Sequence, residues 1–346
     1  MDQLFVRLPA GGYPIYLQNG LLAHCGALLP PAIERWFLVC DASLAASYGK
    51  TVCESVRCAA QHCELLSVSG GEASKSVRVY EELCRRLLRC GITRSDGILA
   101  LGGGALGDLV GFVAATLLRG VALVHLPTTL LAQVDSSIGG KTGLDLPEGK
   151  NLLGAFYQPR MVLIDPDCLT TLPRRQWQSG IAEVIKYGMI ADEAMLSQLE
   201  KPCPDWPTLI GRCVAIKASL VAQDERDGGV RRRLNFGHTF GHVYEAWGGY
   251  ERWTHGEAVA AGMMQMLRWE AQHGYDVSAL RERLRVLEER FSLPTAITCP
   301  IEAAQTYLLH DKKCRGDQIA AVLVPQAGRS VVREIPAAQL LEGWLT

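Results

Sequence analysis

The sequence predicts an α/β protein in two parts: a parallel sheet with flanking helices in the first half, and a mainly α-helical second half. Three observations carry this prediction. At 346 residues the chain is longer than one hydrophobic core ordinarily supports. Short, continuous apolar runs alternate with helical patterns through the first half, as strands buried on both faces require. From about Arg174 the strand signal fades and long helical periodicities replace it. The expected domains are therefore 1–172 and 173–346.

Taken in order, Trp36–Cys40 runs apolar into Asp41, Cys63–Val68 runs into Gly70-Gly71, and Gly97–Leu101 runs into Gly102-Gly103-Gly104. Val121–Leu126 and Met161–Asp165 add two strands, stopped by Pro127 and Pro166. Between the strands, Ser76–Cys90 has apolar residues at helical spacing. Further helices are expected over Thr208–Gln223, His255–His273 and Ser278–Arg290, with one late strand, Ile319–Pro325, that the pattern does not place. No internal repeat or low-complexity segment interrupts this order.

Hydrophobic residues at 48%, charged residues at 21% and a net charge of -1 describe an ordinary globular chain and exclude a disordered one. Arg231-Arg232-Arg233 is the one dense basic run, too short and too poor in aromatics to track a nucleic acid. Leu109–Leu118, between Asp108 and Arg119, is too short to span a membrane, and Met1–Phe5 lacks the basic region and apolar core of a secretory signal. The twelve cysteines never form a C-x-x-C pair and are expected to be mostly buried, reduced thiols. A cytoplasmic protein with neither a nucleic-acid nor a membrane partner is expected.

The chemistry concentrates in histidines. His238, His242 and His255 fall within eighteen residues, close enough for imidazoles to converge on a divalent metal. His238 and His242, at i and i+4, share one face of a helix over Gly237–Trp247. That spacing alone equally fits two imidazoles held by ordinary backbone or carboxylate partners. A carboxylate would complete an open four-coordinate site, and Glu183, three residues before Lys186, is the best candidate. The run Leu101–Asp108 follows a strand and precedes an apolar helix, a context in which glycines admit a pyrophosphate, although they also serve simple tight turns. Pro127–Gly143, followed by Gly149-Lys150-Asn151, is too rich in small, hydroxyl-bearing and cationic residues for a core and suits a phosphorylated, hydroxyl-rich ligand.

Together the run Gly102–Asp165, Ala182-Glu183-Val184-Ile185-Lys186-Tyr187-Gly188, Asn235–His242 and His255-Gly256-Glu257 closely resemble the 3-dehydroquinate synthase family, in order and over nearly the whole chain. The resemblance implies a Rossmann-like N-terminal domain that binds NAD, and a helical C-terminal domain that holds a divalent metal, Zn2+ or Co2+. It also implies an active site in the cleft between the domains and a homodimer. It implies one reaction, the second step of the shikimate pathway, in which 3-deoxy-D-arabino-heptulosonate 7-phosphate becomes 3-dehydroquinate and phosphate while NAD is reduced and regenerated.

Carried over position by position, the metal ligands are Glu183, His238 and His255, which moves His242 from the metal to the substrate. Asp135, Lys141, Asn151, Lys186, Lys217, Arg231, Asn235, His242 and Lys312 match substrate-contacting positions, and Arg119 matches a residue supplied across a dimer interface. Asp41, Glu72, Lys75, Gly103, Gly104, Ala105, Gly107, Asp108, Thr128, Thr129, Lys150 and Thr171 match NAD-contacting positions. So many cations suit a substrate bearing both phosphate and carboxylate. The chain departs from the family at Ser43, at Asp145 and at Trp177-Gln178-Ser179; the first two are expected to alter affinity near NAD or the cleft, and none to touch the metal ligands. Sister sugar phosphate cyclases, including amino-dehydroquinate synthase, a metal- and NAD-dependent polyol dehydrogenase, and a non-catalytic binding module are the alternatives.

Overall fold

The computed structural model describes all residues except 60, 310–313, 316–317, 343 and 345–346, and among these the expected site residue Lys312 lies outside the description. Two compact units divide it: Met1–Leu172 with Lys217–Arg226, and Pro173–Ile216 with Asp227–Thr346. The segment Lys217–Arg226, assigned from sequence to the second domain, thus groups with the first unit.

The first unit is built on a seven-stranded sheet. Its strands are β1 (Asp2–Leu8), β2 (Gly11–Leu17), β3 (Arg35–Asp41), β4 (His62–Val68), β5 (Gly97–Gly102), β6 (Ala122–Pro127) and, after the separate hairpin β7 (Lys141–Leu146) and β8 (Gly149–Phe156), β9 (Met161–Ile164). The spatial order is β1-β2-β9-β6-β5-β3-β4, with β1 antiparallel to β2 and the remaining pairs parallel. The side-chain period of two explains the continuous apolar runs. Along β3, Trp36, Leu38 and Cys40 enter one core while Phe37 and Val39 enter the other, and Leu99 and Leu101 of β5 divide from Ile98 and Ala100 in the same way.

Helices α1 (Lys50–Cys58), α2 (Val77–Arg89) and α3 (Gly104–Thr116) cover the sheet. From β3 the chain goes out to β4 and returns on the other side of β3 as β5, so the strand order reverses there. Ligands of open α/β sheets bind at the carboxyl ends of the strands beside such a reversal. Asp41, the glycines after β5 and Thr128-Thr129 all follow those ends.

The second unit contains α4 (Arg174–Ala191), α5 (Glu193–Leu199), the first part of α6 (Trp206–Gln223), α7 (His238–Trp247), α8 (His255–Gln272), α9 (Ser278–Arg290), α10 (Ile301–Leu309) and α11 (Ala337–Leu340). The unplaced late strand is β11 (Gln318–Gln326), central in an antiparallel sheet between β10 (Cys314–Arg315) and β12 (Arg329–Pro336). Buried Glu270 of α8 anchors this sheet by accepting from Val324 N at 3.0 and 3.2 Å. Among the described residues no helix is long and apolar enough to cross a membrane.

Candidate functional site

In the second unit, glycines let three helices close on one point. A β-carbon at Gly256 would lie 2.4 Å from Ser179 Cα, and one at Gly262 would lie 2.1 Å from the Gly237 carbonyl oxygen, so α8 packs directly on α4 and on the start of α7. The start of α8 is clamped. Thr254 Oγ1 accepts from Glu257 N at 3.3 Å while Glu257 Oε2 accepts from Thr254 N at 2.7 Å, a reciprocal cap, and Arg175 grips Glu257 through two bonds of 2.8 and 3.0 Å. Ser179 Oγ accepts from Gly256 N at 3.0 Å, satisfying another amide of that first turn. His255 sits between these restraints.

Glu183 of α4, His238 of α7 and His255 of α8 therefore converge, and they form a group that could hold a metal ion. His255 Nε2 is 3.4 Å and His238 Nε2 3.6 Å from Glu183 Oε1. Ligands at about 2.0–2.1 Å from a tetrahedral ion stand roughly 3.3 Å apart, so the spacing fits a zinc-sized cation. The proton positions agree. Phe236 O, 3.1 Å from His238 Nδ1, can only accept, so Nδ1 carries the hydrogen and Nε2 offers its lone pair towards Glu183. Burial alone would lower the His255 pKa, but Glu245 and Glu183 outweigh it and hold it up at about 10, a measure of how strongly this position favours positive charge.

Glu183 is fully buried and its Oε2 contacts the Nζ of Lys186, itself only 1% exposed, one turn later on α4. The His242 ring stands 5.6 Å from that of His238, edge to face, and does not belong to the converging group. Arg231 is buried at 2% exposure within the short 3-10 turn Val230–Asn235, which also carries Asn235. Its neighbours in the basic run are absorbed locally, Arg232 by Glu334 at 3.4 Å and Arg233 by Ser330 Oγ at 2.8 Å and Ile190 O at 2.9 Å.

In the first unit, Gly103 precedes α3, and Gly104, Ala105 and Gly107 form its first turn. A small cavity is lined by Gly102, Gly103, Gly104, Gly107, His125 and Ser136. A β-carbon at Gly104 would meet Ser136 Oγ at 2.7 Å, and one at Gly103 would meet Thr129 Cγ2 at 3.0 Å, so bare backbone is needed here. Burial pushes the His125 pKa down to about 4, leaving a neutral imidazole under the turn. Thr128 donates its amide to Gly102 O at 3.0 Å, and Thr129 Oγ1 accepts from Ala132 N at 3.2 Å.

Asp41 closes β3 and accepts from Ser43 N at 2.9 Å and Ser43 Oγ at 2.7 Å. Ser43, a departure from the family, thus holds that carboxylate. Gly70 abuts it, since a β-carbon there would lie 1.7 Å from Asp41 Oδ2. Lys75, 3% exposed, is a hub: its Nζ donates to Asp108 at 2.9 Å and Asn151 at 2.5 Å, and lies 3.5 Å from Glu72 and 3.7 Å from Asp145. Lys150 pairs with Glu72 at 3.5 Å. Burial would lower the Lys75 pKa, but Asp108, Glu72 and Asp145 reverse it and raise it, while burial lifts Asp108 to about 6 against the pull of Lys75. Asp145, the second departure, accepts from Asn151 N at 2.8 Å and so shapes this hub.

Elsewhere in the first unit, Lys217 pairs with Asp135 at 2.9 Å and Thr171 meets the Tyr48 hydroxyl at 3.0 Å. Lys141 opens β7, opposite Phe156. Arg119 is exposed at φ 67, next to Leu118 at φ 53, a left-handed pair that presents the arginine at the end of a turn. No local pattern marks Glu245, which is 4% exposed with Oε2 3.4 Å from His255 Nδ1, and Ser179 stands out in the sequence only as part of the departure Trp177-Gln178-Ser179, not as the acceptor for Gly256 N. The role of Glu257 does have a sequence signal, since Thr-x-x-Glu ahead of an apolar run marks a capped helix.

Residues 65–179 match the family described as 3-dehydroquinate synthase N-terminal, and residues 180–314 match 3-dehydroquinate synthase C-terminal. A curated 3-dehydroquinate synthase of Streptococcus suis is 42% identical over 98% of this chain and 99% of its own length. Among solved structures, a 2-deoxy-scyllo-inosose synthase complexed with carbaglucose-6-phosphate, NAD+ and Co2+ superposes with a TM-score of 0.88 at 25% identity, covering 99% of this chain and 98% of its own. A 2-epi-5-epi-valiolone synthase from Streptomyces hygroscopicus with NAD+ and Zn2+ bound gives 0.86 at 26% identity, over 95% of this chain and 94% of its own. The chain belongs to the 3-dehydroquinate synthase family.

Proposed function

We propose that the protein converts 3-deoxy-D-arabino-heptulosonate 7-phosphate into 3-dehydroquinate and phosphate, using NAD catalytically and a divalent metal. The observation that carries the reading is the convergence of Glu183, His238 and His255 at the spacing of a metal shell, in a chain that also carries the glycine turn of a nucleotide site. When bound, NAD is a reversible hydride acceptor and the metal, Zn2+ or Co2+, polarises vicinal hydroxyl groups.

The chain's own residues bind and orient. Asp41 at the end of β3 would hold a ribose diol, and the bare amides of Gly103–Gly107 would take a pyrophosphate at the start of α3. Thr128, Thr129, Lys150, Thr171 and the Glu72–Lys75–Asp108 hub would complete the nucleotide contacts. In the second unit, buried Lys186 and Arg231 are suited to anionic substrate groups, with Arg231 on the carboxylate and Asn235 and His242 on the sugar acid. Lys312 shares that assignment on the resemblance alone. In the first unit, Asp135 would meet sugar hydroxyls while Lys141, Asn151 and Lys217 supply further polar contacts. The proposed setting is a cytoplasmic homodimer with Arg119 reaching the partner's substrate.

A sister cyclase is the second reading, favoured by the two solved neighbours but less similar in sequence than the Streptococcus suis synthase. The test is metal dependence. Protein stripped by chelator should lose phosphate release from the heptulosonate phosphate and regain it with Zn2+ or Co2+, whereas His238→Ala and Glu183→Ala should bind metal at least 100-fold more weakly and fall at least as far in activity. Either variant retaining normal metal content and turnover would overturn the assignment.

A further inference from the structure

Glu245 is a buried acid that the binding assignments leave unused. It lies on α7, two turns after His238, and is 4% exposed with Oε2 3.4 Å from the Nδ1 of His255. We propose that Glu245 is the positioning carboxylate of the metal centre, fixing the tautomer and orientation of His255 and offsetting part of the metal's charge; this rests on Glu183, His238 and His255 being the metal ligands.

The two imidazoles are treated alike. Each turns Nε2 towards Glu183 Oε1 and each has an acceptor behind Nδ1, a backbone carbonyl for His238 and a carboxylate for His255. A carboxylate behind a metal-bound imidazole fixes the tautomer and orientation of the ring and raises the basicity of the ligating nitrogen. Charge points the same way. Glu183 is already joined to Lys186, and Glu245, 4% exposed, would add a second buried acid beside a bound divalent ion. The helix supporting it packs closely on α8 through Gly241 and Gly262, and the capped start of α8 holds His255 from the other side.

The test measures metal affinity and ligand geometry, not only turnover. Purified apoprotein is titrated with Zn2+ against a chromophoric chelator, and with Co2+ while its visible spectrum is recorded, for the wild type, Glu245→Gln, Glu245→Ala and Glu183→Ala. Glu245→Ala should bind Zn2+ 10- to 100-fold more weakly and change the position or intensity of the Co2+ bands. Glu245→Gln, whose amide oxygen still accepts from Nδ1–H, should fall between the two, and it keeps the volume of a buried side chain if the alanine variant folds poorly. Circular dichroism and NAD affinity should stay at wild-type values in the glutamine variant. Wild-type Zn2+ affinity and Co2+ spectra in Glu245→Gln and Glu245→Ala, with metal lost from Glu183→Ala, would overturn the proposal while leaving the ligand set intact. Retention of metal by Glu183→Ala would overturn the ligand set, and the role of Glu245 with it.

Discussion

Single residues in this protein are placed by what their charge costs. Glu288 on α9 is fully buried, and neither carboxylate oxygen has a hydrogen-bond partner among the described residues. Burial pushes its pKa up to about 9, with Arg268 pulling the other way. A carboxylic acid whose folded pKa lies above its unfolded value keeps its proton longer in the native state, so native stability falls as pH rises from about 4.5 through about 9. Glu288→Gln removes that dependence. Its thermal midpoint should match the wild type near pH 4.5 and exceed it at pH 8, by an amount equivalent to about 2 kcal/mol or more. Parallel midpoints across that range would contradict the burial argument. Residue identity was also where the sequence was least legible: Glu245 and Glu288 are ordinary helical glutamates in the chain, and only the fold shows that one meets an imidazole while the other is buried with no hydrogen bond to its carboxylate among the described residues.

Elements were legible in proportion to how completely they are buried. β3, β5 and β9 read as continuous apolar runs because both faces of each strand are covered. The β7–β8 hairpin escaped because β8 leaves Leu152, Leu153 and Phe156 exposed, while Gly143 and Gly154 sit opposite each other where no side chain fits. β1 and β2 escaped for a related reason, since β1 buries only Val6 and β2 opens on Gly11 and Gly12, which adopt positive φ. At the site, the i, i+4 histidine spacing suggested two ligands on one helix, whereas the structure brings one imidazole from α7 and one from α8. Geometry between helices is a long-range property that local periodicity does not carry. The capped start of α8 makes a prediction at this scale. Thr254→Ala should cost about 1 kcal/mol and speed amide exchange over residues 256–259, loosening His255. Unchanged exchange would show that Arg175 and Ser179 hold that turn without the threonine.

At the scale of the molecule, each unit carries one part of the proposed chemistry: a glycine turn at the carboxyl ends of parallel strands, and a metal-sized gap among three helices. The proposed homodimer adds a third part, Arg119 held at the end of a left-handed turn. If the arginine serves the partner's substrate, Arg119→Ala and His238→Ala proteins should each be severely impaired alone. Mixed after dissociation they should recover up to about a quarter of wild-type activity, because half the dimers are mixed and each of those keeps one intact site. No recovery in demonstrably mixed dimers would place Arg119 in its own subunit's chemistry.

The central claim is that oxidation and reduction cancel within one turnover, and the most direct measurement follows phosphate release and NADH absorbance together, with 3-deoxy-D-arabino-heptulosonate 7-phosphate, Zn2+ and substoichiometric NAD. Many equivalents of phosphate per NAD with no net NADH, and 3-dehydroquinate as the product, are the expected result. Phosphate-free accumulation of NADH would mark a polyol dehydrogenase and contradict it, as would turnover confined to an amino or sedoheptulose substrate.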